Sequence, residues 1–68
     1  MSIRDFIKEK RRLNNLTQQE LAEKAGVGLR FIRELEQGKE TLRLDKVNQV
    51  LKLFGYEVGA VQLKRNEL

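Results

Sequence analysis

Along most of this chain the apolar residues recur three and four positions apart, which is the spacing of amphipathic helices. Ile3, Phe6, Ile7 and Leu13 fall on one side of a helical turn and predict a first helix over about 3–14. Ser2 with Asp5 resembles a capping box at its start. Asn14-Asn15 ends it, because Asn tolerates left-handed backbone. A second helix is predicted over about 17–25, with Thr17 as N-cap, Glu20 three residues on, and a Leu16–Leu21 staple across the cap. Its buried stripe is Leu21, Ala22 and Ala25, and Gly26 is the residue just past its end. The third helix, about 28–37, carries Phe31, Ile32 and Leu35 on one arc. Leu29, Arg30, Arg33 and Gln37 lie on the opposite arc, and Gly38 is the stop. The fourth, about 44–54, is expected to bury Leu44, Val47, Val50, Leu51 and Phe54 before Gly55.

After Gly55 the period changes. Residues 56–63 are rich in β-branched and aromatic side chains, and Tyr56, Val58 and Ala60 alternate with Glu57 and Gly59. Val61 and Leu63 then shift phase, as at a bulge near Gly59. A strand needs a partner for its ladder, and no second strand is legible in the chain. The expectation is therefore a homodimer in which two tails pair through Tyr56, Val58, Ala60, Val61 and Leu63.

Two short helices joined by Ala-Gly-Val-Gly form a helix-turn-helix unit. Counting Gln18 as the first position, Ala22 is the fifth, where only a small side chain fits between the helices. Gly26 is the ninth, where the chain turns with positive φ. Leu21, Val27, Ile32 and Leu35 then fall on the positions of the shared core.

Composition narrows what such a unit would do. Fourteen Lys and Arg against ten Asp and Glu give a net charge of +4 and a pI near 9.8, which suits a polyanionic partner. There is no Cys and no His, so neither a disulfide, a thiolate or imidazole metal site nor the commonest general base is available. No cofactor, no metal and no enzymatic activity are expected. Gly26-Val27-Gly28 is too short for a nucleotide-binding fingerprint. No apolar run is long enough for a membrane, and the charged start MSIRDFIKEK is no secretory signal, so a cytoplasmic location is expected, of bacterial or phage type and associated with the nucleoid.

In a helix-turn-helix the second helix reads the major groove and the first crosses the backbone. Arg30 and Arg33 have the reach for base edges or phosphates, Leu29 can meet a thymine methyl, and Gln37 shares their arc. Gly28 allows close backbone approach. Lys39 and Arg43, just beyond, are candidate phosphate contacts. Gln18 is placed to hydrogen-bond a phosphate or a base. Each has a plainer reading: Arg30 with Glu34 is also an i,i+4 pair that supports a helix, Leu29 can pack at the rim of the core, and Gln18 suits any first turn.

LTQQELAEKAGV followed by Ile-x-x-Leu-Glu-x-Gly (Ile32 to Gly38) resembles the Cro/C1-type, or XRE, helix-turn-helix family over about residues 3–55. GVGLRFIRELEQGK, then LDKVNQVLKLFG and the strand-like tail, is similar to its HipB-like antitoxin branch. The resemblance implies a single mainly α domain over 1–68: four helices plus a short C-terminal β-strand pairing across a homodimer. It implies a repressor of a palindromic double-stranded DNA operator that autoregulates its operon and serves as antitoxin to a HipA-like serine/threonine kinase toxin. It supports DNA contact by Gln18, and implies a structural ion pair between Arg11 and Glu36. Where many members cap the fourth helix with Ser or Thr, this chain has Arg43. A stand-alone repressor and a protein-interaction module on the same fold are the competing readings.

Overall fold

Ser2 opens the first helix by accepting a hydrogen bond from the Asp5 amide at 3.2 Å. The computed structural model describes residues 2–63 and places four helices among them: α1 (Ile3–Leu13), α2 (Gln18–Ala25), α3 (Leu29–Glu36) and α4 (Leu44–Leu53). Residues 64–68, included in the expected domain, lie outside the described part, as does residue 1.

Each boundary has a local cause. Only half of the expected box forms at Ser2, because the Asp5 carboxylate turns to Arg4 at 3.4 Å. Asn15 ends the α1 region in left-handed backbone, φ 55°. Thr17 and Glu20 form a complete capping box at α2, with side chain and backbone satisfying each other at 2.8 and 3.1 Å. Gly26 takes φ +75° at the end of α2, a conformation that strains any residue with a Cβ. Behind it the Val27 amide donates to the Ala22 carbonyl at 3.0 Å and closes the turn. Gly28 and Arg43 are the N-caps of α3 and α4, and neither helix has a side-chain cap.

The helices enclose one core. Ile7, Leu21, Ile32 and Val50, one from each helix, are the largest fully buried side chains, joined by Ala22, Leu35, Val47 and Leu51. Each fully buried aliphatic contributes about 1.5–3 kcal/mol by leaving water. Three expected core positions are corrected. Ile3 and Leu13 are 42% and 69% exposed and Leu44 is 57% exposed. All three sit in the first or last turn of their helix. Periodicity identifies the side that faces a neighbour, but not how far along the helix that neighbour extends.

Beyond Gly55 the described chain runs on without helix. No strand is present among the described residues, since a single extended segment has no ladder partner. The segment is held by side chains instead. Tyr56 packs edge-to-face on Phe6 of α1 at 4.7 Å, and Lys10 lies 5.5 Å from both ring centres. The Val58 amide donates to Asn48 Oδ1 of α4 at 2.8 Å. Val61 and Leu63 remain 83% and 70% exposed, and Ala60 is exposed beside them.

Candidate nucleic-acid interface

α3 divides into an inner and an outer side. Ile32, Leu35 and Glu36 are buried, while Arg30, Arg33 and Gln37 are exposed and share the opposite arc. At about 100° per residue, Leu29 falls on the margin between the two sides. It is half-buried and packs against the core, so its outward placement in the expected arc is only partial. Gly28 is exposed, and a Cβ built there meets nothing within 4 Å. Its φ of −75° is open to any residue, so neither packing nor backbone strain within the chain requires a glycine there.

The turn that presents α3 is fastened from two sides. From α4, Gln49 Nε2 donates to the carbonyls of Ala25 and Gly26 at 3.2 and 3.3 Å, across the end of α2. From α1, Arg11 reaches Glu36 at the end of α3: its Nε–H donates to Oε2 at 2.7 Å and its Nη2–H to Oε1 at 3.0 Å. The same guanidinium donates through Nη1 to the Leu16 carbonyl at 2.9 Å, so one side chain ties α1 to α3 and to the loop before α2. The two side chains are 14% and 2% exposed. A bidentate, multiply bonded pair is the arrangement that repays removal of both charges from water.

Gln18 belongs to this network. It is half-buried, and its Nε2 donates to Glu36 Oε1 at 3.1 Å. That bond fixes the amide at the start of α2 and leaves its carbonyl oxygen and second N–H for another partner.

The outer cations differ in how they are held. Arg33 is exposed and enters no ion pair among the described residues. Arg30 and Lys39 share the Glu34 carboxylate, at 3.5 and 3.2 Å. Lys39 is brought there by the helix end: Gly38, at φ +85°, lets the Gly38 amide bond Leu35 O and the Lys39 amide bond Glu34 O, each at 3.1 Å. Arg4 of α1 lies across that turn, its Cδ 3.2 Å from where a Cβ on Gly38 would stand. Arg43 grips Asp45 with two bonds of 3.1 and 2.7 Å. The Arg43 guanidinium, foremost among several contacts, holds the Asp45 carboxyl below its ordinary value.

Gln49 and Glu34 as elements of the site were not anticipated. The i,i+4 spacing of Arg30 and Glu34 was visible, but not that the turn at Gly38 adds Lys39 to the same carboxylate. Nothing local connects Gln49 to residues more than twenty positions earlier.

A capped helix, a left-handed glycine turn, a second helix with a cationic outer arc and an ion pair locking its end are now placed together. The Helix-turn-helix family matches residues 7–61, four-fifths of the chain. The protein belongs to the Cro/C1-type helix-turn-helix family. The Sinorhizobium fredii protein named "Uncharacterized HTH-type transcriptional regulator y4mF" is similar to it, 54% identical over 48 residues. The similar region is 71% of this chain and 63% of that relative, so the chain spans less than two thirds of the relative's length. No solved structure matches. Within that family's fold, α2 and α3 are the two helices of the helix-turn-helix unit. No described helix is long and apolar enough to cross a membrane, and no group of potential metal ligands forms among the described residues.

Proposed function

We propose that this protein is a sequence-specific transcriptional repressor that binds a palindromic operator as a homodimer, with α3 of each copy in the major groove. The observation that carries the reading is the outer arc of α3, where Arg30, Arg33 and Gln37 stand exposed directly after the helix-turn-helix turn. Arg33, free of any ion pair among the described residues, is the base reader, since an arginine can pair bidentately with guanine O6 and N7. Lys39 and Arg43 hold the phosphates, with Gln18 anchoring the start of α2. The uncapped start of α3 at Gly28 leaves amide donors and open space for a close backbone approach. A relative named as an HTH-type transcriptional regulator supports the regulatory role.

The dimer is supported by the tail. Exposed Val61 and Leu63, with no backbone hydrogen bond beside them among the described residues, supply apolar area and ladder edges that a chain this small gains by burying. Two tails pairing antiparallel about a two-fold axis set the half-sites about one helical turn, or roughly 34–36 Å, apart. The resemblance to the HipB-like branch supports the further role of antitoxin, in which the operator-bound dimer holds a HipA-like serine/threonine kinase inactive.

Selection from a randomised duplex library tests the reading: a palindrome-like site should emerge, with affinity falling steeply as salt rises. Lys39→Ala should leave the preferred bases unchanged and lower the salt slope by roughly one unit for every phosphate that each subunit ceases to neutralise. Equal affinity for every duplex would refute sequence reading. Val61→Asp with Leu63→Asp, both exposed in the single chain, should convert the dimer to monomer in sedimentation; an unchanged mass refutes the tail pairing. A kinase-like reading frame beside the gene, and loss of its toxicity on co-expression, is the result required of an antitoxin.

A further inference from the structure

Glu34 is the one carboxylate that touches the proposed reading face from α3 itself. It flanks the arc of Arg30, Arg33 and Gln37, is half-buried, and holds two of the proposed DNA-contacting cations at once. The Lys39 backbone amide donates to the Glu34 backbone carbonyl at 3.1 Å, and its Nζ donates to the Glu34 carboxylate at 3.2 Å. Arg30, with a side chain 91% exposed, has no other ion pair among the described residues. Exposed pairs of this kind add little to stability, so stability is a weak reason for a negative charge beside a surface that meets a polyanion.

We propose that Glu34 is a specificity-determining residue of this face: it neutralises Arg30 and Lys39 toward arbitrary DNA and pre-orients them for the cognate site. The inference rests on the DNA-reading function above. Non-specific binding is almost wholly electrostatic, so a carboxylate that shares out two cations and repels phosphate acts on it in full. At a cognate site, base contacts by Arg33 and Gln37 add affinity that Glu34 does not oppose. There the two long side chains also dock in a geometry already held, which lowers the ordering cost of binding. Glu34 therefore widens the gap between right and wrong sequences by penalising the wrong ones.

The test compares wild type, Glu34→Gln and Glu9→Gln, the last removing an exposed charge from α1 so that net charge changes equally. Binding of each to the duplex recovered by selection and to a scrambled duplex is measured by fluorescence anisotropy over a series of salt concentrations. Glu34→Gln should tighten scrambled-duplex binding on the order of tenfold and steepen its salt slope, while tightening selected-duplex binding by less than about threefold. Glu9→Gln should shift both duplexes slightly and alike. A selective wild type whose Glu34→Gln variant shifts both duplexes equally, or weakens either, overturns the role of Glu34 and leaves the DNA-reading function standing. So does a Glu9→Gln variant that reproduces the Glu34→Gln pattern. A wild type indifferent between the duplexes overturns the DNA-reading function itself, and this role with it.

Discussion

Two glutamates two residues apart on α3 each hold more than one donor, and they do opposite work. Glu36 faces inward, 2% exposed, and receives Arg11 through two hydrogen bonds and Gln18 through a third. Glu34 sits on the outer margin, and its partners Arg30 and Lys39 lie at 3.5 and 3.2 Å in water. Buried charges cannot be left unpaired, so the inner pair locks α1 to α3. Exposed charges lose little by parting, so the outer pairs can open at small cost. The same chemistry is structural on one side of the helix and adjustable on the other, and depth makes the difference.

The largest expected loss is at the inner pair. Arg11→Ala strands the Glu36 charge and frees the Leu16 carbonyl, and should cost about 3–5 kcal/mol, seen as a large fall in melting temperature. Lys52→Ala, on the exposed surface of α4, should shift the melt by less than about 0.5 kcal/mol. Comparable shifts in the two variants would mean that the inner pair is not structural. The double variant Arg11→Met with Glu36→Met leaves no stranded charge and should be clearly more stable than Arg11→Ala. A double variant that melts as low as Arg11→Ala would show that the charges themselves, not their mismatch, hold the helices.

On the outer side the expected effects move from stability to binding. Arg33→Ala should lose about 1–3 kcal/mol of preference at one base position in each half-site, with a melting temperature near wild type. A melt lowered as much as in Arg11→Ala would place Arg33 in the fold rather than at the interface. Glu34→Gln should change stability by less than about 0.5 kcal/mol; a larger loss would make the outer pairs structural after all.

The smallest expected effect concerns a third kind of carboxylate, one held by backbone. The Thr17 amide, and then the Thr17 side chain, keep the Glu20 carboxyl below its ordinary 4.5. A carboxyl depressed in the folded state stabilises above its unfolded value, and that contribution is lost as pH falls through the folded value. The melting difference between wild type and Glu20→Gln should therefore be constant from neutral pH down to about 5 and shrink on further acidification. A difference independent of pH down to acid unfolding would mean that the capping box does not depend on the Glu20 charge.

The four helices, the Thr17–Glu20 box and the turn at Gly26 were legible because each depends on groups within a few residues of one another. Backbone donors at a helix start are satisfied locally or not at all, and a positive φ narrows the choice to glycine in one place. The spacing of Ala22, Gly26 and Ile32 carried the helix-turn-helix reading for the same reason. Arg11 and Glu36 are a different case: they are 25 positions apart, and no periodicity connects them, so only likeness to other chains pointed to the pair.

Tertiary structure alone decided the rest. It turned Gln18 toward Glu36, laid Gln49 over the end of α2, and set Leu29 half inside the core. It left Ile3, Leu13 and Leu44 beyond the reach of their neighbours. It also carried Lys39 back over Glu34, through a turn whose outcome depends on two backbone bonds. A hydrophobic period states which way a side chain points along one helix. Burial, and with it the choice between a locked and an exchangeable charge, is set by where the other helices end.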